Sequence, residues 1–149
     1  MQGTTFGVRA LLLILLFTPG IALAVPSTPE VGSPERKAIC DLARETERNN
    51  ISVPAFLWKV RLLRTENGYG YFEGVAVNPD GSFIPADKGG DDVYALVLKG
   101  QGTKWSVIVD LTRGDAPSAA EAERLAQQIP ADFPYTDLFP KDWQAILKR

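Results

Sequence analysis

The side chains available for chemistry are 18 carboxylates, four tyrosines, 16 lysines and arginines and one cysteine, with no histidine. Without imidazole the chain has no Ser-His-Asp or Cys-His nucleophile system, no histidine-ligated metal and no imidazole acid-base pair. A lone Cys40 rules out a multi-thiolate zinc site and an intramolecular disulfide, and reads as a small apolar residue on a helix. What remains for catalysis is carboxylates with tyrosines or lysines. Asp110 is the strongest of these. It follows the apolar run Ser106 to Val109, where burial would raise its pKa towards that of a general acid or base, whereas a place at an open strand end would leave it in water or in a turn. Asp80, Asp87, Asp91 and Asp92 fall in one stretch, but their spacing matches no calcium-loop pattern and reads as a solvated acidic loop. No glycine-rich phosphate loop follows a strand. Neither a metal nor a cofactor is expected.

The elements that position these groups centre on Val93 to Leu111, two apolar β-rich runs around Gly100-Gln101-Gly102-Thr103, which reads as a hairpin. A two-residue turn at Gln101-Gly102 would pair Lys99 with Lys104, Leu98 with Trp105, Leu96 with Val107 and Tyr94 with Val109, giving one wholly apolar face that another element must cover. Upstream, Ser33 as N-cap, Pro34 and Glu35 open a helix whose apolar stripe is Ala38, Ile39, Leu42, Ala43 and Thr46; Asn49-Asn50 and Pro54 end it. Phe56, Trp58, Val60 and Leu62 then alternate with Leu57, Lys59, Arg61 and Leu63, the pattern of a strand with one apolar face. Asn67-Gly68 predicts a type I′ turn that returns Tyr69 to Val77 with Val60 opposite Val75, Trp58 opposite Val77 and Glu73 opposite Leu62. Gly70, Phe72, Gly74 and Ala76 share the return strand's other face, and the small residues among them either let another backbone approach or mark twist and a bulge.

Between the two hairpins lies Asn78 to Asp92, NPDGSFIPADKGGDD, whose Pro-Asp-Gly and Gly-Gly-Asp-Asp segments predict a loop. It is longer than most connections, as recognition loops often are. Asp80, Phe83, Ile84, Asp87, Lys88, Asp91 and Asp92 are its candidate binding residues, apolar groups flanked by charges on a rigid scaffold. The competing expectation is that Phe83 and Ile84 fold back to cover the sheet edge. Beyond the second hairpin, Ser118 and Glu121 form a capping-box pattern for a helix that ends before Pro130, and Trp143, Ile146 and Leu147 mark a short terminal helix. Phe133, Tyr135, Leu138 and Phe139 would hold that extension down.

The first 24 residues have the order of a secretory signal: Arg9, the apolar run Ala10 to Phe17, a Thr18-Pro19-Gly20 break and Ala22-Leu23-Ala24 for cleavage after Ala24. The apolar run is about half of the ~20 residues a spanning helix needs. Export to the periplasm or the medium is expected, with no membrane span after cleavage. Residues 25–32 read as a flexible leader and 33–149 as a single α+β domain. Of the 16 basic residues only Arg9 lies in the signal, so 18 acidic groups outnumber the 15 that remain, without the basic surplus that phosphate binding needs, and no nucleic-acid partner is expected.

Three segments together, Ser33 to Arg44, Leu57 to Leu63 with its Gly/Tyr-rich return strand, and Leu96 to Ile108, resemble a group of small secreted bacterial proteins whose activity is itself uncharacterised. The most specific parts are the helix opening SPxRKAI and the hairpin LxLKxxGxKWxV. The resemblance spans Ser33 to Leu111; that group continues with a Gly-Pro-Thr-Asp-like segment where this chain has Thr112-Arg113-Gly114-Asp115 and an added helix. A helix followed by four antiparallel strands is similar to the cystatin-like arrangement that includes nuclear-transport-factor-like folds. The resemblance implies that fold and export, and transfers no catalytic residue.

The expected architecture is thus α+β: an N-terminal helix packed on a twisted four-stranded antiparallel sheet of two hairpins, with a C-terminal helical extension. The poor catalytic inventory favours a non-enzymatic binding protein, an inhibitor, immunity or envelope-associated factor whose partner is a protein or a cell-envelope component. The alternative is a small carboxylate-dependent enzyme or ligand carrier with a pocket between helix and sheet. A buried Asp110 in a deep pocket would favour the alternative, and a filled core the binding protein.

Overall fold

The structure, a computed structural model, describes residues 25–147, so the expected signal lies outside the described residues. Four helices and four strands follow in the order α1 (Pro34–Thr46), β1 (Leu57–Glu66), β2 (Tyr69–Val77), β3 (Tyr94–Gln101), β4 (Lys104–Asp110), α2 (Ala119–Gln128), α3 (Tyr135–Leu138) and α4 (Lys141–Leu147). The strands make one antiparallel sheet in the spatial order β1-β2-β3-β4, as an α+β chain of two successive hairpins requires. Among the described residues no helix is long and apolar enough to cross a membrane.

Helix α1 starts where its capping residues place it: the Ser33 hydroxyl accepts the Arg36 N–H at 3.2 Å, with Pro34 in the first turn. Its buried residues, Ile39 and Ala43, pack on Leu63, Phe72, Leu96 and Leu98, all at most 2% exposed. The opposite face of the sheet is covered by the C-terminal extension: Leu125, Ile129, Phe133, Leu138, Phe139 and Trp143 close over Tyr69, Tyr71, Val97 and Val109. The sheet is therefore the middle layer of three, which is why β3 is buried on both faces from Tyr94 to Leu98. Gly70 and Gly74 lie on the α1 side with Phe72, where rings occupy the space a Cβ would need: one on Gly70 would come within 3.2 Å of Trp105 Cζ3, and one on Gly74 within 3.0 Å of Phe72 Cζ.

Both hairpins form, and both correct the simple register. Asn67 (φ 51°) and Gly68 (φ 77°) make the expected turn with two positive φ values, and Leu62 stands opposite Glu73. A bulge at Arg61 then shifts the pairing, so Val60 faces Gly74 and Trp58 faces Ala76 instead of Val75 and Val77. The physical reason is that both sheet faces are covered. Leu62 and Leu63 each need an apolar layer, and one extra residue sends Leu63 to the α1 side with Val60 and Trp58 while Leu62 joins the other. In the second hairpin the turn is Gly102-Thr103, with positive φ (60°) at Gly102 alone, and Gln101 pairs with Lys104. The expected pairs Lys99–Lys104, Leu98–Trp105, Leu96–Val107 and Tyr94–Val109 give way to Lys99–Ser106, Leu98–Val107 and, past a bulge at Ile108, Val97–Val109 and Leu96–Asp110. This register avoids opposing two lysines.

The segment 25–32 is tied down at two points. Ser27 exchanges backbone hydrogen bonds with Thr65 (2.9 and 2.8 Å), and Arg36 donates to the Pro29 carbonyl at 3.2 Å. At the other end of the chain, Ser118 caps α2 through the Glu121 N–H at 3.3 Å, but the Glu121 carboxylate pairs with Arg113 at 2.8 Å, so only half of the capping box forms.

Candidate binding surface

The C-terminal helices cover only part of the second sheet face and leave a strip at the start of β1 and the end of β2. Cross-strand partners share a face, so the pairs Leu57–Val77 and Lys59–Val75 lie together there. The bulge adds Arg61: it lies next to Leu62 on the covered face and turns Arg61 to the same side as Lys59. Lys59, Arg61, Val75, Val77, Gly81 and Phe83 line one recess of about 150 Å³. Phe83 is 78% exposed and Leu57 46%, two of the four large apolar side chains that are exposed among the described residues. Neither Lys59 nor Arg61 has an ion-pair partner among the described residues, whereas Lys37, Arg44, Arg113 and Arg124 each meet a carboxylate. Arg61 also borders a larger recess of about 290 Å³ with Glu73, Arg113, Asp142 and Trp143.

Phe83 is presented by a turn that hydrogen bonds to itself. The Asp80 carboxylate accepts the Ser82 N–H (2.9 Å) and hydroxyl (2.6 Å), Asn78 accepts the Gly81 N–H (2.8 Å), and the Asn78 amide donates to the Phe83 carbonyl (3.1 Å). A bridge between Val77 and Phe83 fixes the ring's base beside the strip. The Ser82 hydroxyl holds the Asp80 carboxyl below its ordinary pKa. Asp80 therefore shapes the turn.

The seven loop residues singled out from the sequence are thus separated. Phe83 alone reaches the strip, with Asp80 behind it. Ile84, which the sequence offers either as an exposed binding residue or as cover for the sheet, is 1% exposed and packs with Ile51, Phe56, Ala76 and Tyr94. Gly90 lies directly on the Ile84 carbonyl, where any Cβ would overlap it, and Gly89 (φ 86°) accepts the Tyr94 hydroxyl at 2.9 Å. Asp87 and Lys88 sit in a single 3-10 turn, Ala86–Lys88, and with Asp91 they are exposed to water; the Lys88 carbonyl accepts the Ser52 N–H at 3.0 Å. Asp92 is half-buried, and its charge, after burial itself, pushes the Tyr94 hydroxyl up to about 12. One end of the loop covers the core and the other presents an aromatic ring.

Asp110 is exposed, and its carboxylate accepts the Thr112 N–H at 2.8 Å in a turn, so it is not a buried acid. The fully buried carboxylate is Glu47, which the helical pattern did not single out. It accepts Asn50 Nδ2 at 2.7 Å and Thr112 Oγ1 at 2.8 Å, and Thr112 in turn accepts the Ala95 N–H at 3.2 Å. Burial raises the Glu47 pKa, and nearby Asp110 adds to the rise. This network joins the end of α1 to the end of β4 and opens onto no described recess. Glu66 is also buried, at 8% exposure. Its Oε2 has no hydrogen-bond partner among the described residues, and burial and Asp137 raise its pKa. On the covered face the Tyr71 hydroxyl donates to Glu73 at 2.8 Å, and burial drives its pKa upward.

No family model, curated protein or solved structure matches this chain. The arrangement itself therefore carries the reading. The α1–sheet interface is filled: Ile39, Ala43, Phe72, Leu96 and Leu98 are each 0% exposed. Among the described residues no group of three or more Cys, Asp or Glu side chains is placed to hold a metal ion. What the strip offers is shape, an aromatic ring and two cations that make no ion pair among the described residues.

Proposed function

We propose that this chain is a non-enzymatic binding protein of the periplasm or the extracellular medium, and that it takes a protein or envelope partner on the strip formed by Leu57, Lys59, Arg61, Val75, Val77 and Phe83. The observation that carries this reading is the coincidence of Phe83, 78% exposed on a self-tied turn, with Lys59 and Arg61 of β1, neither of which makes an ion pair among the described residues. Phe83 and Leu57 both expose apolar surface beside Arg61, and aromatic and arginine side chains are the usual anchors of interfaces. The filled α1–sheet layer and the exposed Asp110 weigh against a carboxylate enzyme or carrier working between helix and sheet. Export rests on the signal-like order of residues 1–24, and the resemblance to small secreted proteins agrees with it.

The test is affinity capture from an envelope extract of the source cell with three baits: the protein, the Phe83→Ala/Arg61→Glu variant, and a form whose 79–83 turn is replaced by a Gly-Ser linker. All three substituted or removed side chains or segments lie at the surface, so each bait is expected to fold, as near-ultraviolet circular dichroism would verify. A partner retained by the first and lost from the other two supports the reading. Partners retained equally by all three folded baits refute it.

A further inference from the structure

We infer that the recess between the N-terminal leader and the two hairpin turns seats the chain's own α-ammonium group, which cleavage after Ala24 creates on Val25 and which the Glu66 carboxylate holds. This rests on the export in the proposed function and goes beyond its binding strip. Three observations converge.

The first is the path of the leader. Residues 25–32, expected to be flexible, are tied to the outer edge of β1. Ser27 and Thr65 exchange both backbone hydrogen bonds, and their hydroxyls meet at 3.0 Å. One further antiparallel step puts Pro26 level with Glu66, and the next puts Val25 level with Asn67. The pairing therefore delivers the Val25 nitrogen to the end of β1, whichever group precedes it.

The second is charge. Val25 lines a recess of about 570 Å³ with Glu35 of α1, Thr65, Glu66, Asn67 and Trp105. Two carboxylates and no lysine or arginine line it, and neither Glu35 nor Glu66 makes an ion pair among the described residues. Arg64, the cation nearest to Glu66 in sequence, donates to the Asp137 carbonyl of α3 at 3.1 Å. Two carboxylates are also too few to cage a metal ion without other ligands. An ammonium group needs only one of them.

The third is an unpaired atom. Glu66 is 8% exposed, and its Oε2 has no hydrogen-bond partner among the described residues. A buried carboxylate oxygen without a partner is costly, and Asp137 adds negative charge nearby. Before cleavage the Val25 nitrogen is a neutral amide with one N–H. Hydrolysis of the Ala24–Val25 bond by water leaves a carboxylate on Ala24 and an amine on Val25, which at neutral pH carries a proton and three donors. Processing thus supplies the missing charge where the leader's pairing has already brought the chain end.

The test starts by expressing the full chain, recovering it from the periplasm or the medium, and reading its first residue by mass spectrometry. Val25 is expected. Isotope-labelled forms are then titrated by NMR through the α-amine range: the processed protein, Glu66→Gln, Glu35→Gln, and a form that retains Leu23-Ala24. Val25 is exposed, so water screens the pair, and the α-amine of the processed protein should titrate about half a unit to one unit above the ordinary ~7.7–8.0. Glu66→Gln should return it to the ordinary value, and Glu35→Gln should keep most of the rise. The form that retains Leu23-Ala24 should titrate ordinarily and melt at a lower temperature. Because the folded α-amine pKa is raised, the processed form's advantage in melting temperature should be full below about pH 7.7 and fade as pH rises through the folded value.

An ordinary α-amine pKa in the processed protein, a rise that survives Glu66→Gln, or one that Glu35→Gln removes instead would each overturn the inference. Cleavage at another bond would overturn it too, because the new amine would lie elsewhere. A chain that stays uncleaved inside the cell would remove export and this inference together. A Val25 start with ordinary titration would remove the α-ammonium seat and leave export and the binding strip standing.

Discussion

Phe83 and Ile84 are neighbours in sequence with opposite environments, and replacing each by alanine separates the two roles of the loop. Ile84 is 1% exposed and packs with Ile51, Phe56, Ala76 and Tyr94, so Ile84→Ala removes three carbons from a filled site and leaves a cavity. Gly90 lies against the Ile84 backbone and Gly89 against Asn50, which limits how far the loop can collapse into that space. Substitutions of this type cost about 2–5 kcal/mol, and the rigid surroundings place this one at about 3. Phe83 is 78% exposed, so Phe83→Ala loses little burial and should lie within about 0.5 kcal/mol of the parent. Urea unfolding followed by tryptophan fluorescence measures both, because Trp58 packs against Phe56 and Tyr94 of the same cluster at 5.1 and 5.3 Å between ring centroids. The midpoint should fall clearly for Ile84→Ala and barely move for Phe83→Ala, with unchanged slopes. Equal losses, or the larger loss at Phe83, would refute the division of the loop into a covering end and a presenting end.

Gly68 sits at φ 77° in the first turn, so Gly68→Val should destabilise the protein by roughly 1 kcal/mol or more through backbone strain, and an unchanged thermal midpoint would contradict the assigned turn. Burial raises the Glu47 pKa above its ordinary 4.5, so its contribution to stability is fully present below pH 4.5 and is lost as pH rises through the higher folded value. Glu47→Gln removes that titration, and the difference in unfolding free energy between parent and variant should therefore change between pH 4 and pH 7, the parent gaining relative to the variant as pH falls; parallel profiles would contradict the assignment. Asp110 is exposed and bonded within its own turn, so Asp110→Asn should shift the thermal midpoint by no more than a degree or two, and a large loss of stability would show that it carries part of the Glu47 network.

Local signals in the chain were informative where one residue type meets one geometric need. Ser33 and Pro34 mark the start of α1, Asn67-Gly68 the β1–β2 turn, and Ser118 the start of α2. Register was less legible, because alternation along a strand says which residues share a face only until a bulge intervenes. Leu62-Leu63 was the available hint: two adjacent leucines in a strand that is covered on both faces require one. The Gly102-Thr103 turn was hidden because Gly100 and Gly102 offer two alternative positions for the hairpin, and the charge of Lys99 and Lys104 decides between them. In the loop, Phe83 and Ile84 look alike by hydropathy, and only the packing of Gly89 and Gly90 shows which one turns inward. Glu47 escaped notice because a glutamate at a helix end ordinarily faces water. Its partners, Asn50 and Thr112, include one that is 65 residues away in sequence. Lys59 and Arg61 read as the polar side of a strand, and their meeting with Phe83 depends on the loop's path.

On the proposed function, the strip around Phe83, Lys59 and Arg61 contacts a partner in the cell. Photo-crosslinking tests it most directly, with a benzophenone amino acid placed singly at Phe83, at Lys59, at Asp87 or at Glu123, the last exposed on α2. After irradiation of living cells, positions 83 and 59 should give the same discrete higher-mass adduct, and positions 87 and 123 should give none. Adducts from Glu123 or Asp87 with none from Phe83 and Lys59 would contradict the account.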